Sequence, residues 1–213
     1  MLRTEVCMVL ARDPSRHVVF YHGAPLYEYN SCNPFLPRNA SCSLGNYISY
    51  AVNASDATDF RKTIEFVRDH NIRLTIRNTG HDYNGKATGA GAVAIWTHHM
   101  KSMQTLDYRS TTYTGKAIKM GAGVQTEEVY RYAHTLFGLV VVGAFSPTVG
   151  IVGGYTQGGG HGPLASRFGL AADQALEWEV VTASGDHVIA SRSQNSDLYW
   201  ALSGGGGGTY TPL

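Results

Sequence analysis

The chain has 213 residues, enough to bury a core as one large domain or two small ones. Its formal net charge is +1 and its charged fraction 15%, with Lys and Arg scattered, so there is no basic stripe to neutralise phosphates and nucleic acid is excluded as an expected partner. No stretch approaches the roughly 18 apolar residues that cross a bilayer, so no membrane span is expected. Glycine is the outlier: 25 of 213 residues, clustered rather than periodic, which points to backbone brought close to a ligand.

Residues 1–45 lack sustained periodicity and contain Pro25, Pro34 and Pro37, so they read as an irregular leader. Cys32 and Cys42 flank a Pro- and Asn-rich loop at a spacing suited to a local disulfide, leaving Cys7 odd. The N-terminal run is interrupted by Glu5 and Arg12 and is a poor secretion signal, yet the cysteine pair and the sequons at Asn39 and Asn53 point to a secretory-pathway ancestry.

Ordered structure is expected from Tyr47. Ser55 is placed to cap a helix running through His70, with Asp56 and Asp59 near its positive end and Phe60, Ile64 and Val67 on one apolar face. A strand over Ile72 to Ile76 then feeds the loop Arg77-Asn-Thr-Gly-His-Asp-Tyr-Asn-Gly85. Further strands are expected over Gly91 to Trp96, Ala117 to Met120 and Leu139 to Val142, with a helix over Thr126 to Phe137 whose inner face is Val129, Ala133 and Leu136. Leu176 to Thr182 and His187 to Ala190 read as a hairpin turning at Gly185. The mixture is α+β.

Two loops concentrate the glycine. The first sets Gly80, His81 and Gly85 directly after a strand, where exposed amides can approach a pyrophosphate. The second carries seven glycines between Gly143 and Gly160, too many for one tight turn. Two amide-rich loops suit a dinucleotide lying between them. The segment Gly160-His-Gly-Pro-Leu-Ala165 fits only the loosest Rossmann fingerprint: Pro163 breaks the turn and no hydrophobic strand leads in, so a Rossmann reading is rejected.

The runs Ile76-Arg-Asn-Thr-Gly-His-Asp-Tyr83, Ser146-Pro-Thr-Val-Gly150, Gln157-Gly-Gly-Gly-His-Gly-Pro163, Phe168 to Asp173 and Leu198 to Thr209 stand in an order that resembles the FAD-linked oxidases related to berberine bridge enzyme and vanillyl-alcohol oxidase, in their fungal secondary-metabolism branch. The resemblance implies a PCMH-type FAD-binding domain over residues 46–213, built of two α+β subdomains at about 46–110 and 111–213. It implies FAD joined to His81 by a single covalent link, because Ser146 stands where many relatives carry a second attachment cysteine. The remaining cofactor contacts it implies are Arg77, Asn78, Thr79, Gly80, Asp82, Tyr83 and Asn84 in the first loop. In the second they are Ser146, Thr148, Val149, Gly150, Gly153 and Gly154, then Gly158, Gly159, Gly160 and His161.

The chemistry so implied is oxidation of a small secondary metabolite, an alkaloid intermediate among the candidates, by hydride transfer to flavin N5 with dioxygen as acceptor. The substrate domain of such enzymes follows the glycine run Gly204 to Gly208, and the chain is expected to stop before it, so no catalytic base is nominated. His98, His99 and His134 read as strand-edge and helix-surface residues. Two other readings stand beside the oxidase: a truncated remnant without catalysis, and a flavin-binding module whose substrate face comes from another polypeptide.

Overall fold

The computed structural model describes residues 8–10 and 35–210. Four strands form the first sheet: β1 (Met8–Leu10), β2 (Tyr50–Asn53), β3 (Arg73–Arg77) and β4 (Ala92–Trp96), in the order β1-β2-β4-β3. β2, β4 and β3 run parallel, with Ile76 level with Ile95 and Arg77 level with Trp96, while β1 adds an antiparallel edge against β2. The β1 strand lies within the expected irregular leader. Cys42 is disulfide-bonded, and both other cysteines, Cys7 and Cys32, lie outside the described residues.

Helix α1 (Ala57–Asp69) connects β2 to β3 and lays Phe60, Ile64 and Val67 inward. Phe60 and Ile64 pack with Ala54, Ile95 and Val181 into one core, partly covered by Leu74 and Ile76. The cap is Asp56 and not the expected Ser55: its carboxylate accepts from the amides of Thr58 at 2.7 Å and Asp59 at 3.3 Å. Ser55 is drawn off because its amide and hydroxyl both donate to Asp59 Oδ2, at 2.8 and 2.7 Å.

A hairpin of β5 (Met103–Arg109) and β6 (Thr114–Met120) follows, and the expected division near residue 110 falls in its turn. Its second strand begins earlier than Ala117 because the exposed positions Thr114 and Lys116 still join the ladder with β5. Helix α2 (Thr126–Phe137) starts with the Glu128 carboxylate accepting from the Gln125 amide at 2.7 Å and stops at Gly138, where φ is 60°. Val129 and Ala133 are buried as expected, but Leu136, in the last turn of the helix, is 61% exposed. The expected strand over Leu139 to Val142 is not formed: the amides of Gly138 and Leu139 close the helix onto the carbonyls of His134 and Ala133, and the segment joins no sheet among the described residues.

A wide π-type turn (Ile151–Tyr155), broken at Gly153, carries Ile151 into a second core with Val124 and Val129. After the one-turn helix α3 (Ala165–Phe168) and a 3₁₀ turn (Ala171–Gln174), the hairpin β7 (Glu177–Val181) and β8 (His187–Ser191) forms as expected. Helix α4 (Ser196–Leu202) closes over it, so that Tyr199 and Leu202 pack with Trp178, Val180 and Ala190.

Candidate functional site

β3 ends at Arg77, and the chain turns away from the sheet through Asn78, Thr79 and Gly80, the last at φ 83° where a side chain would be strained. Trp96, at the end of β4, holds this departure by donating Nε1–H to the Asn78 carbonyl at 3.1 Å. Arg77 is half-buried, and burial lowers its pKa from the usual guanidinium range.

Two hydrogen bonds and a close packing contact join the first loop to the second. Thr79 is buried and its hydroxyl accepts from the Gly150 amide at 3.3 Å, and His81 Nε2 lies 2.9 Å from Thr148 Oγ1. Asn78 donates from Nδ2 to the Ala122 carbonyl at 2.6 Å and lies flat against Gly150, where a methyl group would come within 2.5 Å of Nδ2. Only glycine allows this approach, and a methyl group at Gly153 would meet the same carboxamide at 3.4 Å.

The second loop is fixed from behind by α2. The Gln125 side chain donates to the Thr148 carbonyl at 3.0 Å, and the amide and hydroxyl of Thr126 both donate to the Val149 carbonyl. Ser146 is half-buried and its carbonyl accepts from the Val149 amide, closing the turn that presents Thr148.

Asp82, the only acid of the first loop, is occupied by its own backbone, accepting from the amides of Asn84 and Ala87 at 2.9 Å each. Tyr83 is 65% exposed and Asn84 is exposed, so the structure does not bring these two into the meeting of the loops.

The third stretch is held by backbone hydrogen bonds. The Gly158 amide donates to the Gly154 carbonyl, and Gly159 and Gly160, both in the left-handed region, offer carbonyls to the amides of Ala172 and Ala171. His161 is exposed, and its carbonyl accepts from the Tyr155 hydroxyl at 2.9 Å. Burial raises the Tyr155 and Tyr130 pKa values, so both phenols stay protonated at neutral pH; Tyr130 donates to the Ala144 carbonyl at 3.0 Å.

Several residues of the site are not among the expected cofactor contacts. Gly121 to Gly123 press against Thr97 to Met100 so closely that only glycine fits at 121 and 123, and this places the Ala122 carbonyl under Asn78. Gln157 is 2% exposed, and its carbonyl accepts from the amides of Gly204 and Gly206, which seats the terminal glycine run against Gly154. A Gly-x-Gly directly after the expected strand Ala117 to Met120, at Gly121 and Gly123, is the signal available in the sequence for the first group.

Among the described residues three buried side-chain oxygens lack a hydrogen-bond partner, Thr75 Oγ1 in β3 and the carboxamide acceptors Asn78 Oδ1 and Gln157 Oε1. A buried unpaired carbonyl costs about 1–3 kcal/mol, so the two carboxamides suit a ligand that brings donors. FAD brings such donors in its isoalloxazine imide, ribityl hydroxyls and adenine amine, and its pyrophosphate needs the glycine-rich amides. The residues present fit that group. Among the described residues no cluster of metal-ligating side chains occurs, and no helix is long and apolar enough to cross a membrane.

Comparison with known proteins agrees with this chemistry. Residues 48–191 match the family model described as an FAD binding domain. The FAD-linked oxidoreductase patO of Aspergillus clavatus is 58% identical over 181 residues, 85% of this chain and 32% of its own length. The FAD-linked oxidoreductase ZEB1 of Gibberella zeae is 49% identical over 99% of this chain and 38% of its own. The crystal structure of the VAO-type flavoprotein MtVAO615 from Myceliophthora thermophila superposes with a TM-score of 0.84 at 52% identity, covering 88% of this chain and 34% of that one. The chain thus spans about a third of the length of these relatives. On its fold, its paired glycine loops and these matches, the chain belongs to the FAD-binding domain family found in fungal FAD-linked oxidoreductases and VAO-type flavoproteins.

Proposed function

We propose that the chain is the flavin-binding part of an FAD-dependent oxidase of fungal secondary metabolism, with FAD joined covalently to His81 and dioxygen as the electron acceptor. The observation that carries the reading is the closure of the first glycine loop on the second through His81 and Thr148, 2.9 Å apart. An imidazole anchored there stands at the junction of two amide-rich loops, where a dinucleotide spanning both would present its ring system. The relatives are named FAD-linked oxidoreductases and come from filamentous fungi, which supports a small-molecule substrate, with an alkaloid among the candidates.

When bound, the flavin supplies the redox chemistry: it accepts hydride from the substrate and passes the electrons to dioxygen, giving hydrogen peroxide. The protein's own residues bind and orient. Thr79 and Gly150 fix the spacing of the loops, and the carboxamide oxygens of Asn78 and Gln157 accept from the ligand's donors. Ser146 offers no thiol for a second bond, so the attachment is single. No base that removes the substrate proton is assigned to the described residues.

The test is acid precipitation of the expressed chain followed by peptide mass mapping. The reading expects yellow protein and an FAD adduct on the peptide containing His81, lost in His81→Ala. Flavin that washes out on denaturation overturns the covalent part, and no flavin binding at all overturns the whole.

A further inference from the structure

Thr148 meets His81 at the junction of the loops, and its position is set from behind by a short polar chain that begins at Lys101. The Lys101 ammonium donates to Gln125 Oε1 at 3.1 Å, and Gln125 Nε2 donates to the Thr148 carbonyl at 3.0 Å. An ammonium only donates and a peptide carbonyl only accepts, so a carboxamide lying between them has one orientation that satisfies both. We infer that Lys101 is a positioning residue for the flavin site: it fixes the direction of the Gln125 carboxamide, which in turn holds Thr148 against His81. The role given to this relay, alignment for flavin attachment, rests on the covalent link proposed for His81.

The lysine is itself held firmly. Glu128 Oε2 accepts from Lys101 Nζ at 2.7 Å and from the Gln125 amide at 2.7 Å, so one carboxylate ties the cation to the start of α2. Charge-assisted bonds of this kind are roughly twice as strong as neutral ones, and the Lys101 side chain, 30% exposed, is partly shielded from water. Its backbone is pinned on both sides, because the carbonyls of Met100 and Ser102 accept from the amides of Gly123 and Gly121 at 3.0 and 2.8 Å.

The residue between those two glycines is Ala122, whose carbonyl accepts from Asn78 in the first loop. Residues 100–102 packed against 121–123 therefore form one platform that reaches both loops, the first through Asn78 and the second through Lys101 and Gln125. On the second loop, the carbonyls flanking Thr148 take backbone donors: Glu127 donates to Pro147 at 3.0 Å and Thr126 to Val149 at 2.9 Å. The Thr148 carbonyl takes its bond from a side chain, so the side chain's orientation is the adjustable part of the clamp.

Two measurements test the relay. In the flavin-free 213-residue chain, solvent exchange of the Gln125 side-chain amide protons, followed by NMR, reports whether the carboxamide is held. Lys101→Met should speed that exchange by about fivefold, the effect of losing roughly one hydrogen bond, and Lys101→Arg, which keeps the donors, should restore it. On addition of FAD in air, covalent incorporation read by in-gel flavin fluorescence after denaturation should slow by about fivefold in Lys101→Met and in Gln125→Leu, with Lys101→Arg near wild type. Because Lys101 acts through Gln125, Lys101→Met should add nothing in the Gln125→Leu background.

Equal amide exchange in Lys101→Met and wild type overturns the relay, and so does a slowing by Lys101→Met that persists in full when Gln125 is already leucine. Unchanged incorporation in both Lys101→Met and Gln125→Leu, with His81→Ala attaching none, overturns the positioning role and leaves the covalent reading standing. Flavin that binds wild type but never attaches overturns the covalent reading itself, and the amide exchange then decides the orientation of Gln125 without reference to flavin.

Discussion

Gly207 has no room for a side chain against Gly154, whereas Gly154 has room for one facing Gly207. A methyl group at Gly207 would overlap the Cα of Gly154, while one at Gly154 meets Gly207 Cα at 3.9 Å, an ordinary contact. The asymmetry separates the roles of two glycines that look alike in the sequence. Gly207 is required by packing, and Gly154 is exposed, so nothing within the described protein asks for glycine there.

The two alanine variants should therefore fail differently. Gly207→Ala forces backbone apart and should cost about 1–3 kcal/mol in urea unfolding, in the range of overpacked sites. Gly154→Ala should leave unfolding within about 0.5 kcal/mol of wild type and weaken FAD binding in a fluorescence titration. Equal flavin affinity in Gly154→Ala and wild type would remove that glycine from the cofactor cradle.

The Asn78–Gly150 approach predicts a coupling. Gly150→Ala brings a methyl within 2.5 Å of Asn78 Nδ2 and must push the carboxamide off the Ala122 carbonyl. It loses a hydrogen bond of about 0.5–1.5 kcal/mol and adds about 1–3 kcal/mol of overpacking. Removing the obstruction should recover part of this, so Gly150→Ala should be milder by about 1 kcal/mol when introduced into Asn78→Ala than into wild type. Thermal or urea unfolding of the four proteins measures the coupling, and strict additivity would mean that the two residues do not meet in solution.

Much of this architecture was legible in the sequence, and the exceptions have physical causes. The inner face of α1, the hairpin of β7 and β8, and the two glycine loops all follow from local periodicity or turn chemistry, and they stand as expected. The β5–β6 hairpin was half-missed because both strands are exposed on alternate positions and rich in Lys, Thr and Gln, which dilutes the apolar signal. Strand β2 gave no signal, since four residues are too few to show a period. At the site, residue types identified the loops, but not the props behind them. Gln125, Ala122 and Gln157 act through backbone carbonyls or single amide bonds that no residue pattern announces.

The cap of α1 illustrates the same limit and yields a stability prediction. Ser55 and Asp56 are both good caps, and the choice between them rests on Asp59 capturing the Ser55 amide and hydroxyl. Asp56→Ala should cost about 1 kcal/mol, within the usual range of about 0.5–2 for a lost cap, and Ser55→Ala less, because the Ser55 amide bond to Asp59 survives the substitution. The reverse ranking in urea unfolding would return the cap to Ser55.

The acid limb of stability should depend on Glu179. The Lys119 ammonium donates to its Oε2 and His187 Nε2 lies 2.9 Å from its Oε1, tying β6 and β8 to β7 through one carboxylate. The hydrogen bond from Lys119 is the largest cause that holds the Glu179 pKa below the ordinary glutamate value; partial burial works against it, and the charges of Lys119 and His187 add to the lowering. A carboxyl whose pKa is depressed on folding releases its proton more readily in the native state. Its contribution is therefore full above the unfolded value of about 4.3, and it is lost as pH falls through the lower, folded one. The pair is substantially exposed, so the effect should be modest and should shrink with added salt. Glu179→Gln should flatten the decline in unfolding midpoint below about pH 4.5 and leave the site loops untouched. An unchanged acid decline in that variant would show that the carboxylate is as well stabilised by water in the unfolded chain as by Lys119 in the folded one.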